Sequence, residues 1–137
     1  MIPMTWSKPT RPSSILLVED ETLIRMMLAG MVEELGHRVA AEAGSLREAC
    51  LMAETAEFDL AMLDVNLGGY TVGPVAEIIA RRGLPILFVT GYAPAALPNG
   101  FGNRPMIQKP FALPKLRDAI DVALSDGARG RTDQELG

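Results

Sequence analysis

Five short apolar runs alternate with segments of helical spacing along this chain, and few folds accommodate that alternation. The runs occupy residues 14–18, 37–43, 58–64, 85–89 and 105–108, and that at 37–43 (HRVAAEA) is the weakest. Unbroken apolar runs of this length are the pattern of parallel strands covered on both faces. Between them, residues 21–35 place Ile24, Leu28, Met31 and Leu35 on one helical face, with Gly36 as the stop. Ser45 followed by Glu48 has capping-box spacing for a second helix to about residue 57, burying Leu46, Ala49, Cys50 and Ala53. A third helix is expected over 72–82, where Pro74 fits only the first turn. A last one covers 113–125, with Leu116, Ile120 and Leu124 facing inward. Residues 93–102 should carry a helix by alternation. Pro98, Gly100 and Gly102 break it, so a turn or two at most is expected, the rest irregular and mobile. Leu67-Gly68-Gly69-Tyr70 reads as a flexible loop.

At 137 residues the chain is expected to form one domain over 14–126, between a loose extension (1–13, containing Trp6) and a fraying tail (127–137). Hydrophobic residues at 48% and charged residues at 22% are an ordinary globular balance. The net charge of −4 argues against a general nucleic-acid binder. Cys50 stands alone, so an internal disulfide is excluded and a reducing compartment fits. With no secretory leader and no run of membrane-spanning length, a cytoplasmic protein without membrane partners is expected.

Strand and helix in alternation give right-handed βαβ units in an α/β, flavodoxin-like (βα)5 fold. The expected architecture is a doubly wound, parallel, five-stranded sheet of order 2-1-3-4-5. Ligands of such sheets bind beyond the carboxyl ends of the strands at the switch point. Each of the stronger runs ends in a polar group: Glu19-Asp20 after the first, Asp64 after the third, Thr90 after the fourth and Lys109 after the fifth. Strands one and three are neighbours in this order, so Glu19, Asp20 and Asp64 meet. Two such charges about 5 Å apart cost roughly 3 kcal/mol at an effective dielectric of about 20. A cation or a shared proton relieves that cost, and oxygen-only ligands point to Mg2+ or Mn2+ rather than zinc. Thr90 and Lys109 add a hydroxyl and an ammonium, which with a metal form a clamp for a phosphoryl group. Asp64 is the natural nucleophile, as a carboxylate can become an aspartyl-phosphate.

Each residue alone has an ordinary explanation: a helix cap for Glu19-Asp20, a turn for Asp64 or Thr90-Gly91, a solvated surface charge for Lys109. In this order, together with Pro110-Phe111 after Lys109, the set resembles the receiver domain of two-component response regulators over about residues 14–125. The resemblance implies phosphorylation of Asp64 by a sensor histidine kinase or histidine phosphotransfer protein. It implies Mg2+ on Asp20, Asp64 and the backbone carbonyl of Asn66, with Glu19 acting through water. Thr90 and Lys109 would hold the phosphoryl oxygens, and the Lys109–Pro110 bond would be cis. Pro85-Ile86-Leu87-Phe88-Val89-Thr90-Gly91-Tyr92 is similar to the Pro-Phe-x-Phe-Ala-Thr-Gly-Tyr signature of the "FAT GUY" receivers, Ile86 and Val89 departing from it. Family members commonly carry an aromatic switch residue where this chain has Met106, so readout would pass through residues 91–104, Tyr92 or the last helix.

The expected function is a stand-alone receiver, not an enzyme beyond its own phosphorylation and dephosphorylation. It would signal as a monomer or weak dimer by phosphorylation-dependent binding of an unidentified downstream protein, or by phosphate shuttling. Two alternatives are a small Mg2+-dependent phosphohydrolase with an aspartyl-phosphate intermediate and a phosphorylation-independent scaffold. Against the first, Asn66 stands where dehalogenase-type phosphatases need a second acid. Elsewhere, His37 is expected to be exposed, Cys50 to lie in the core, and Met26, Met27 and Met31 to pack.

Overall fold

The computed structural model describes residues 12–91 and 97–136, with side chains to residue 126. In chain order the elements are β1 (Ser14–Val18), α1 (Thr22–Glu34), β2 (Arg38–Ala43), α2 (Leu46–Thr55) and β3 (Leu60–Asp64). There follow β4 (Asn66–Leu67), β5 (Tyr70–Thr71), α3 (Gly73–Arg81), β6 (Ile86–Thr90), β7 (Met106–Gln108) and α4 (Leu113–Leu136). The main sheet runs β2-β1-β3-β6-β7, with every pairing parallel. Setting aside the small β4–β5 ribbon, this is the expected order 2-1-3-4-5.

Alternate strand residues point to opposite faces, so each central strand feeds two cores. Leu16, Val18, Ala61, Leu63 and Phe88 pack with Ala49, Ala53, Val75 and Ile79 of α2 and α3. Ile15, Leu17, Leu60, Met62 and Val89 pack with Leu28, Val32, Leu116 and Ile120 of α1 and α4. Strands buried on both faces must be apolar throughout, which is why residues 14–18 and 60–63 lack polar alternation. Each large aliphatic side chain so buried contributes on the order of 2 kcal/mol. At the start of α2, the Ser45 hydroxyl accepts the Glu48 N–H at 3.1 Å, while Glu48 accepts the Gly44 N–H at 2.9 Å.

Several expectations change. Leu67–Tyr70 is not a loose loop: β4 and β5 pair antiparallel across Gly68 and Gly69, which turn with φ of 59° and 89°. Positive φ at both turn positions is what a tight hairpin needs and what glycine supplies without strain. Residues 97–105 contain no helix; Phe101 anchors them by packing edge-on to Phe88, ring centres 5.9 Å apart. His37 is buried and accepts the Ser13 N–H at 3.0 Å through Nδ1, because β2 enters the sheet beside the start of β1. Burial lowers its pKa, against the pull of Asp121. Met26 and Met27 are exposed, and Val32 takes the core position beside Leu28. Cys50 is only partly buried, against the α2–α3 core. Helix α4 continues past Ser125 to Leu136. Residues 1–11, with Trp6 and most of the expected extension, and residues 92–96, with Tyr92, lie outside the described residues. No helix among the described residues is long and apolar enough to cross a membrane.

Candidate functional site

Strand register builds the site. Val18 pairs with Leu63, Asp64 with Val89, and Thr90 with Gln108, so all four strand ends finish level. The strand ends Asp64 and Thr90, and residues just past β1 and β7, border one cleft of about 610 Å3. Asp20, Asp64, Asn66, Thr90 and Lys109 line it, and Ile24, Met27, Pro110 and Phe111 form an apolar wall.

Glu19 leaves β1 with its N–H bonded to the Ala43 carbonyl at 3.1 Å, and its side chain is 1% exposed. Its carboxylate accepts the Glu21 N–H at 3.2 Å and the Lys109 ammonium at 2.9 Å. Asp20 is exposed and accepts the Gly68 N–H of the ribbon turn at 3.1 Å. Asp64 is buried; one oxygen accepts the Asn66 N–H at 3.1 Å and the other lies 3.5 Å from Lys109 Nζ. Thr90 is buried at the end of β6, and its carbonyl accepts the Lys109 N–H at 2.8 Å. The Lys109–Pro110 bond is cis.

Glu19, Asp20 and Asp64 each place a carboxylate oxygen within 4.8 Å of the others. Among the described residues one ammonium, that of Lys109, faces these three acids, so the pocket is short of positive charge. Burial, then the Glu19 charge, push the Asp64 pKa up to about 6, and Lys109 and the Asn66 N–H only partly offset them. For Lys109, burial works against the ammonium. Its bond to Glu19 and the charges of Asp64 and Glu19 outweigh that and raise its pKa. The Asp64–Lys109 contact alone would pull Asp64 down; burial beside a second carboxylate wins.

The sign of the linkage follows. Between pH of about 4 and 6 the metal-free folded state keeps a proton on Asp64 that the unfolded chain has lost. Stability therefore falls as pH rises through that window and levels off above it. The difference in unfolding free energy between Asp64→Asn and wild type should accordingly widen from pH 4 to pH 6 in metal-free urea titrations. A difference that is flat or narrows with pH would contradict this.

The donor set fits a hard divalent cation: carboxylate oxygens, no thiol or imidazole, and an uncompensated negative charge. Both Glu19 oxygens and both Asp64 oxygens accept hydrogen bonds, whereas Asp20 accepts the Gly68 N–H through one oxygen. Sequence reasoning missed the Gly68 contact to Asp20 and the apolar wall. A Gly-Gly pair between strand-type residues was the available signal for the ribbon.

The family model for the response regulator receiver domain matches residues 15–121. The chain belongs to the response regulator receiver family. This receiver is 34% identical over 127 residues to the transcriptional regulatory protein PdtaR of Mycobacterium tuberculosis, a match covering 90% of the chain and 62% of that protein. It matches the transcriptional regulatory protein YvrH of Bacillus subtilis at 34% identity, covering 72% of the chain and 44% of that protein. The chain thus spans less than two thirds of these curated relatives. The solution structure of SdrG from Sphingomonas melonis is similar with a TM-score of 0.70 and 37% identity, covering 85% of this chain and 97% of that one. The receiver domain of PhyR from Erythrobacter litoralis gives 0.71 and 30%, covering 82% and 90%.

Proposed function

We propose that this receiver accepts a phosphoryl group on Asp64 from a histidine kinase or histidine phosphotransfer protein. It then signals by phosphorylation-dependent protein binding or by passing the phosphate on. The observation that carries this is the meeting of Glu19, Asp20 and Asp64 within 4.8 Å, with the Lys109 ammonium 2.9 Å from Glu19 and 3.5 Å from Asp64. An Asp64 carboxylate oxygen attacks phosphorus as the donor's N–P bond breaks, and the departing imidazole takes a proton. Lys109 is within reach of the incoming phosphoryl oxygens, and Thr90 offers its hydroxyl from the neighbouring strand end. Asp20, Asp64 and the Asn66 carbonyl would hold Mg2+ or Mn2+, with Glu19 acting through water. The bound cation supplies charge neutralisation at the phosphoryl oxygens. Similarity to SdrG, nearly all of whose chain is matched, supports a stand-alone receiver, and the absence of any cysteine pair suits a cytoplasmic setting.

Acetyl phosphate with Mg2+ tests this. A mass gain of one phosphoryl unit on the Asp64 peptide, abolished by chelation, is the expected result. No gain would favour a phosphorylation-independent scaffold, and steady turnover of a small phosphomonoester would favour a phosphohydrolase. Because Mg2+ binds the folded pocket and not the unfolded chain, raising it to a hundredfold over Kd should stabilise the protein by about 2.7 kcal/mol. Unfolding curves that ignore Mg2+ would remove the metal from the site.

A further inference from the structure

Arg25 is the fourth residue of helix α1, whose N-cap is Glu21. The Arg25 guanidinium turns back over the β1–α1 junction. There Nη1 donates to the Glu19 carbonyl at 2.7 Å and Nε donates to Glu42 on β2 at 3.1 Å. Gly44 makes room for it: a Cβ at residue 44 would stand 2.6 Å from Arg25 Nη1. The Gly44 backbone lies outside the left-handed region, so it is the guanidinium, not the chain conformation, that requires glycine.

The Glu19 carbonyl and the Asp20 N–H belong to one planar peptide unit. Fixing that carbonyl from one side, while the Glu19 N–H is held by Ala43, sets the direction in which Asp20 leaves the chain. We infer that Arg25, seated in the notch left by Gly44 and braced by Glu42, is a positioning residue that aims Asp20 at the metal. The inference rests on the metal site proposed above.

Mg2+ alone, titrated calorimetrically into the full chain, provides the test, with metal-free melting as the control for folding. Arg25→Ala should raise the Mg2+ Kd by roughly tenfold or more, the usual size of effects on residues that orient metal ligands. Charge alone predicts the opposite, because removing a cation near an acidic pocket should tighten Mg2+. Gly44→Ala, which keeps every charge, should weaken Mg2+ in the same direction by displacing the guanidinium. Arg25→Ala combined with Gly44→Ala should be no weaker than Arg25→Ala alone, since both remove one interaction. Arg25→Lys, which can still donate to the carbonyl, should recover part of the loss. If Arg25→Ala fails to fold, Gly44→Ala decides. Variants that bind Mg2+ as tightly as wild type, or a tighter Arg25→Ala, overturn the inference and leave the metal site intact. Wild-type protein that takes up no Mg2+ overturns the metal site and the inference together.

Discussion

Asp64→Asn is expected to take up no phosphoryl group from acetyl phosphate, yet to melt above wild type when both are free of divalent cations. The first effect is a complete loss, because an amide oxygen is no nucleophile toward phosphorus and no other carboxylate is fixed at that strand end. The second follows from a buried acid whose pKa is raised to about 6, so that ionising it at neutral pH works against folding. A shift of that size corresponds to about 3 kcal/mol at most. Losing the Lys109 contact at 3.5 Å offsets part of the gain. A net stabilisation of about 1–2 kcal/mol would raise the melting temperature by roughly 4–8 °C for a domain of this size. Intact-mass labelling reads the first effect and metal-free calorimetry the second. A lower metal-free melting temperature would mean that the three acids do not repel as their geometry implies.

Lys109→Ala is expected to slow labelling of Asp64 at saturating Mg2+ by roughly 10^2- to 10^3-fold, the usual cost of removing one preorganised donor from developing negative charge. It should also destabilise the protein. Glu19, 1% exposed, would lose the Lys109 ammonium 2.9 Å away, and Asp64 would lose its contact with the same group. Breaking a buried pair from one side costs about 3–5 kcal/mol. Here the Glu21 N–H remains and Asp64 can take a proton, so about 2–3 kcal/mol is expected, again on the scale of broken buried pairs. The loss should deepen as pH rises above about 6, where wild-type Asp64 ionises and Asp64 without the ammonium keeps its proton to higher pH. Adding Asp64→Asn should return part of the stability and none of the labelling. Quenched-flow labelling and urea titration measure the two. A rate within threefold of wild type would exclude Lys109 from the phosphoryl site.

Much of this fold is legible because parallel strands covered on both faces can contain little but apolar residues. Residues 14–18, 60–63 and 86–89 stand out for that reason, and the polar residue ending each run is conspicuous against it. Ser45 and Glu48 are equally plain, since capping is a local interaction. Legibility fails where a position is decided by its neighbours in space. Val32 and Met27 share α1 and differ little in apolar character, but only Val32 meets the sheet. His37 looks like a surface residue until Ser13 is seen to donate to it from 24 residues away. The Gly68-Gly69 pair marks a turn either way; that Leu67 is buried beneath it makes the segment a ribbon and not a loose loop.

The sequence alone determined which chemical groups stand at the strand ends, because strand length and alternation are local and their order is that of the chain. It also determined the receiver likeness, carried by residues in that order. Tertiary structure decided the pairing within the pocket: Lys109 nearer Glu19 than Asp64, Asp20 tied to the Gly68 turn, and Arg25 folded over the Glu19 carbonyl against Gly44. Two of these contacts join residues 90 and 48 positions apart, and the third depends on a missing Cβ on another segment. Such distances are set by how the helices seat on the sheet, and the residues that touch contain no local trace of it.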